Sequence, residues 1–481
     1  MVLEQAEASL QRKNGLTPLS WAAKGGHEKV VKMLLERDDV NASIADEEGR
    51  TPIFVAAGAG HEGVVKLLLK RRDVNPNATN EYGETPLYIA AWMGHVGVVK
   101  VLLERNDINP DSVDDLTSET PLFRAAWEGH EEIVRMLVER NDVNPNTADE
   151  HGQTPLFGAA REGHIGIAKM LLEREDINPN SADNYGRTPL YIAAGGDNEE
   201  VVESLLVRPD VNPNTQNEYG ETPLSIAAWE GHEGVARMLL ERKDINPNTA
   251  DDLGSETPLF IASREGHEGI VKMLLERSDV NPNTADQYSQ TPLFIAAREG
   301  HAGVVKMLLE RADVNTDTAN IHGETPLFEA AEEGHEGVVK MLLERDDVNP
   351  NIVDSVGQTP LLIATQRGRE GVVKMLVERD DVNPNIADSS GKTPLFIAAR
   401  QGSTAAVKRL LGRIDVNTHL ADNDGETALS QALNRGHDAI VKLLSAHGNF
   451  IPALDDDEPA TPSSPESSDP NQRPSKKSRR F

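Results

Sequence analysis

TPLFIAAREGHAGVVKMLLERADVNTDTANIHGE runs from Thr291 to Glu324, and the same phrase recurs along almost the whole chain. Its opening threonine has counterparts at Thr17, Thr51, Thr85, Thr120, Thr154, Thr188, Thr222, Thr257, Thr325, Thr359 and Thr393. A thirteenth copy opens at Thr427 with Ala428 in place of proline. The spacing is 34 residues, except for 35 between Thr85 and Thr120 and between Thr222 and Thr257. A fixed period of about 20–50 residues marks a stacked array rather than a set of independent globules.

Each copy reads as two short helices. Thr291 suits an N-cap, and Pro292 suits the first helical position, where an N–H would have no partner within the helix. Gly300 breaks the first helix. The second is predicted from about Ala302 to Arg311, with Val304, Val305, Leu308 and Leu309 on one apolar face. The polar stretch that follows is a loop, which holds Asn-Pro in most copies. One such pair cannot bury its apolar face, whereas stacked neighbours can. The expected fold class is all-α: a solenoid of about thirteen helix pairs with projecting loops.

Composition narrows the function. The 481 residues include 48 Lys+Arg against 79 Asp+Glu, a net charge of −31, and no cysteine. That excludes disulfides, zinc fingers and thiolate chemistry. The charge argues against broad contact with nucleic acid or anionic lipid. No stretch approaches the ~18 apolar residues of a membrane span. The opening MVLEQAEASLQRKNG has no apolar core and does not read as a secretory signal.

The copies resemble the ankyrin repeat. Its TPL-x-x-AA-x-x-GH-x-x-VV-x-x-LL pattern is matched across about residues 14–449. The resemblance implies antiparallel helix pairs in an L-shaped stack, and protein binding through the concave face and loop tips. Two departures stand out. The usual glycine after the second helix is absent, and the text reads Glu-Arg-x-Asp-Val-Asn-Pro-Asn, as in Glu139–Asn146. A usual histidine after Pro-Leu is mostly Phe or Tyr (Phe54, Tyr88, Phe123, Phe157, Tyr191), so an apolar ladder is expected in place of hydrogen bonds there.

The chain divides into residues 1–16, a cap or partial copy; 17–449, the array; and 450–481, an acidic then basic tail too poor in apolar residues to fold. Residues 81–119 and 218–256 are identical at 28 of 39 positions and share the extra residue, which points to duplication of a four-copy block.

Several motifs carry less than they suggest. Gly58-Ala59-Gly60-His61-Glu62-Gly63 has dinucleotide-loop spacing but lies between two helices, with no preceding strand. Ten histidines share the Gly-His position, among them His27, His61, His95, His130 and His164. Helices about 8–10 Å apart keep such residues from sharing an ion, so the column is expected to bond backbone at the turn between helices. Asp73, Asn75, Asn77 and Glu84 mimic calcium-loop spacing, but Ala78 stands where the sharp turn needs glycine. Asx turns are the expected role. No catalytic motif appears, and no metal or cofactor is expected.

The positions between Ala-Ala and Gly-His are the candidate binding residues. They include Trp92-Met93, Trp127-Glu128, Arg161, Trp229-Glu230, Arg264 and Arg298. Three of the four tryptophans fall there, and Trp and Arg are the usual anchors of protein interfaces. Tyr82, Tyr185, Tyr219 and Tyr288 sit at expected loop tips. Trp92 and Trp127 occupy matching places in successive copies, so a partner is expected across copies three and four. In the tail, Lys476, Lys477, Arg479 and Arg480 fit a nuclear-import cluster. Thr461 and Ser464, each before proline, are phosphorylation candidates.

The expected function is a non-enzymatic, monomeric scaffold in the cytoplasm, the nucleus or both. It would bind one or more proteins, and neither nucleic acid nor membrane. The alternative is the target-recognition part of a larger signalling or ubiquitin-ligase system whose effector lies outside this chain.

Overall fold

The computed structural model describes residues 15–447. They hold 26 helices, two per copy, and the only extended pairing among them is an isolated bridge between Ala421 and Thr427. Copy three shows how the sequence makes each pair. Thr85 Oγ1 accepts from the Tyr88 amide at 3.1 Å, Pro86 occupies the first helical turn, and the helix runs Pro86–Trp92. Gly94 then turns the chain with φ of 74°, and the second helix runs Val96–Leu103. Only glycine fits that turn comfortably: φ is left-handed, and a Cβ would lie 2.7 Å from the imidazole of His130.

First helices pack on first helices of the next copy, and second helices on second. Leu87, Ala90, Ala91, Val98, Val99 and Leu102 are buried, and their counterparts form one apolar core from Leu19 to Leu444. The aromatic after Pro-Leu is buried, with Phe123, Phe157 and Phe294 sealed in the stack, but the ladder is not purely apolar as expected: the hydroxyls of Tyr88 and Tyr191 donate to Glu119 and Glu221 at 3.0 and 2.6 Å.

Three polar ladders bind copy to copy. The histidines form the first, bonding backbone at the turn between helices, but of the preceding copy. Nε2 of His61, His95, His130 and His301 reaches the carbonyl of Lys24, Gly58, Trp92 and Arg264 respectively, each in the preceding copy, at 2.9–3.0 Å. The first helix is short, so its C-terminal carbonyls lack partners within it. The next copy's imidazole supplies one. Where histidine is replaced, another donor takes over: Asn198 Nδ2 reaches Ala160 and Arg369 Nε reaches Glu332.

The second ladder explains the missing capping glycine. In Glu-Arg-x-Asp the guanidinium grips the aspartate two residues on and aims its remaining nitrogen at the second helix of the preceding copy. Arg242 donates from Nε and Nη2 to Asp244 at 2.8 and 2.7 Å, and from Nη1 to the Leu206 carbonyl at 2.8 Å. Arg174, Arg208, Arg277 and Arg345 repeat this on Val138, Leu172, Leu240 and Leu309. A helix end that glycine would close locally is closed by the neighbour.

The third ladder is built by the second asparagine of Asn-Pro-Asn. Asn214 donates from Nδ2 to the Asp244 carbonyl at 2.7 Å and accepts from the Asn246 amide at 2.7 Å. Asn146, Asn180 and Asn283 do the same. The first asparagine makes the expected Asx turn, with Asn75 Oδ1 accepting from the Asn77 amide at 3.0 Å. Two rungs are carboxylates instead. Asp111 and Asp317 accept from the amides of Asn144 and Asn349, but Oδ1 of each is buried without a partner. A carboxylate cannot donate to the next carbonyl. Burial pushes the Asp111 carboxyl above its usual range; the Asn144 amide opposes this, and the charge on Asp142 adds to it.

Asp111→Asn is therefore expected to stabilise the array by about 0.5–1.5 kcal/mol, the net worth of one restored hydrogen bond. A raised folded pKa means that ionised Asp111 costs stability above that pKa and less below it. The gain should be present at pH 7 and shrink at pH 4 in urea denaturation. No gain at pH 7 would refute the rung.

Copy six departs at its turn. Asp197 takes the left-handed conformation, φ 55°, that glycine holds elsewhere, a strain of about 1–2 kcal/mol that a short polar side chain partly relieves.

Candidate interaction surface

The tryptophans of the first block are less bare than their spacing suggested. Trp92 meets Tyr88 of its own helix edge-on at 6.2 Å, and the guanidinium of Arg124 covers its ring at 4.7 Å. Arg124 is held there by Glu119 at 2.6 Å, and Glu119 also accepts from the Tyr88 hydroxyl at 3.0 Å. Trp127 stacks on Phe123 at 5.7 Å under Arg161 at 5.2 Å. Its ring lies against Gly158 of the next copy, where a Cβ would come within 3.0 Å of Cε3. Both rings are half-buried and bind one copy to the next.

Trp229 differs because Ser225 stands where copy three has Tyr88. Without an aromatic beneath it, the ring is 48% exposed, with Arg264 over one face at 4.7 Å. Arg264 is fixed by both oxygens of Glu256 at 2.5 Å and by Glu265 at 2.9 Å. Arg298, one copy on, leans on Glu299 and Gln290.

The loops rise beside this row. Tyr82, Tyr185, Tyr219 and Tyr288 are exposed at loop tips, as expected. Their carbonyls accept from amides of the next loop at 2.8–3.0 Å, so the tips are tied together (Tyr82 to Asp115, Tyr185 to Glu218, Tyr219 to Asp252, Tyr288 to Ile321). Between loops and first helices lie two adjoining clefts. One is lined by Ile226, Trp229, Leu253, Ile261 and Arg264; the other by Phe260, Arg264, Tyr288, Ile295, Arg298 and His322. The structure thus brings Trp229, Arg264, Arg298 and Tyr288 into one groove over copies seven to nine. Met93, Glu128, Arg161 and Glu230 are exposed outside it.

Sequence reasoning missed Leu253, 66% exposed at the groove mouth, and Arg124, which covers Trp92. The one-residue insertion in the loop holding Leu253 was the available signal. Lys476, Lys477, Arg479, Arg480, Thr461 and Ser464 lie outside the described residues.

A family model of ankyrin repeats matches in seven overlapping stretches from residue 1 to residue 455. The chain belongs to the ankyrin repeat family. Comparison with curated proteins gave no match. Ankyrin repeats are generally protein–protein interaction modules, and ankyrin repeat proteins are generally non-enzymatic scaffolds. In this ankyrin array no described helix is long and apolar enough to cross a membrane. Among the described residues, no three His, Cys, Asp or Glu side chains are grouped to hold a metal ion.

Proposed function

We propose that this chain is a non-enzymatic scaffold that binds one or more partner proteins through the groove between its first helices and loop tips. The observation that carries this reading is the exposure of Trp229 beside Leu253, Tyr288 and two arginines fixed by neighbouring carboxylates. An exposed indole flanked by oriented guanidinium groups and apolar side chains is the composition of an interface centre. Docking is centred on copies seven to nine. Copies three and four, whose tryptophans are spent on packing, take a lesser part. The scaffold acts in the cytoplasm or nucleus as a monomer.

Trp229→Ala with Tyr288→Ala is expected to weaken partner binding by at least ~2 kcal/mol with little change in melting temperature. Trp92→Ala with Trp127→Ala is expected to cost stability instead, about 2–4 kcal/mol for two half-buried rings. Titration calorimetry and thermal denaturation of both variants check this. Unchanged affinity in the first variant would refute the groove.

A further inference from the structure

Past Arg298 the groove ends on an acidic step. Copy ten places Glu329 where its neighbours have the buried Ile295 and Ile363. Glu329 is 8% exposed and shares a hydrogen bond with Glu324, which also accepts from Asn320 Nδ2 at 2.7 Å. Glu332 lies nearby but is taken by Arg367. Arg298, whose charge acts on Glu329, leans back on Glu299 and Gln290. Two carboxyl groups thus stand together with no ion pair to a cation, beside a groove that holds exposed Tyr288, Leu253 and Trp229 and is also lined by Glu221, Asp251, Glu256 and Asp286.

One segment of this chain has the complementary chemistry. Pro470–Phe481 reads PNQRPSKKSRRF, with five cations, an aromatic residue and no acidic side chain. Residues 448–481 carry six carboxylates and five cations, so nearly all of the net charge of −31 lies outside them. Length fits as well. His447 ends the described array in copy thirteen, three copies from Glu329, or roughly 24–30 Å at one interhelical spacing per copy. The 29 residues from there to Lys476 reach at most roughly 95 Å at about 3.3 Å each, well beyond that span.

We propose that the basic segment 470–481 folds back onto the array, setting a Lys or Arg side chain between Glu324 and Glu329 and Phe481 in the aromatic groove. Docked there, the segment covers the groove and hides Lys476–Arg480, so a partner and the tail compete for one surface. This rests on the groove being the docking surface proposed above.

The test uses the full chain and a fluorescein-labelled peptide of residues 470–481, followed by anisotropy at 0.15 M salt. Neutralising Lys476, Lys477, Arg479 and Arg480 to serine opens the groove without touching the array. The labelled peptide should bind this variant at least tenfold more tightly than wild type, whose own tail occupies the site. Adding Glu329→Ile, which installs the residue of the neighbouring copies, should abolish peptide binding while circular dichroism stays unchanged. A scrambled peptide of equal composition should bind at least tenfold more weakly. Equal binding to wild type and open variant, binding that survives Glu329→Ile, equal binding of the scrambled peptide, or no binding at all would each overturn the inference. Partner binding by the groove is read separately from Trp229→Ala with Tyr288→Ala, so the two can fail independently.

Discussion

Replacing Arg242 by alanine is expected to lower the stability of the array by about 2–3 kcal/mol. The side chain is mostly buried between copies six and seven, where it grips Asp244 and reaches the carbonyls of Leu206, Arg208 and Val211. Removing it strands the Leu206 carbonyl at a helix end and leaves Asp244 without its bidentate partner. A lost hydrogen bond is worth about 1 kcal/mol, but a buried group left unpaired costs more. Lysine should not rescue the variant. Its single ammonium cannot grip a carboxylate through two bonds and reach a carbonyl as well. Stability in such an array is a sum of units and nearest-neighbour contacts, so losing this contact should also separate the unfolding of copies one to six from that of copies seven to thirteen. Urea denaturation followed by hydrogen exchange reads both effects. A single unshifted transition in Arg242→Ala would contradict the arginine ladder.

Glu329→Ile is expected to do the reverse and stabilise by about 2–3 kcal/mol at pH 7. Burial first, then the charge on Glu324, pushes the Glu329 carboxyl up to about 8. An unfolded glutamate titrates near ~4.3. The protonated form is therefore favoured in the folded state. Stability is greatest below about pH 4, falls as pH rises towards 8, and levels off beyond. Isoleucine removes that slope and refills a site whose neighbours Ile295 and Ile363 are buried aliphatic residues. Melting temperatures of wild type and Glu329→Ile should diverge between pH 5 and pH 8 and approach each other in acid. Parallel curves would show that Glu329 is not a strained carboxyl.

The helix pairs were legible because their determinants are local. Thr85 caps, Pro86 starts, Gly94 turns, and Leu87 and Leu102 fall on the apolar faces, all within one copy. The ladders were not, although their donors were in plain sight. Arg242 and Asp244 stand two apart in every array copy but the last, yet the third partner is the backbone carbonyl of Leu206, which has no side-chain signature and lies 36 residues upstream. The histidine column was seen as backbone-bonding, but which copy it bonds follows only from the stack. Trp92 and Trp229 show the same limit at the site. Both follow Ala-Ala and precede a Gly-His, and one is packed while the other is half exposed. The difference lies four residues back, in Tyr88 against Ser225, and becomes meaningful only when helix geometry sets positions i and i+4 on one face.

Site-specific photocrosslinking in cells that make the protein tests the scaffold reading most directly. A crosslinking residue at Leu253, at the groove mouth, is compared with one at Lys272, exposed on a second helix. The groove position should capture a small, reproducible set of proteins, identified by mass spectrometry, and that set should vanish when Trp229 and Tyr288 are alanine. Lys272 should not capture it. The same proteins at both positions, or a Leu253 set that survives the double substitution, would contradict the account.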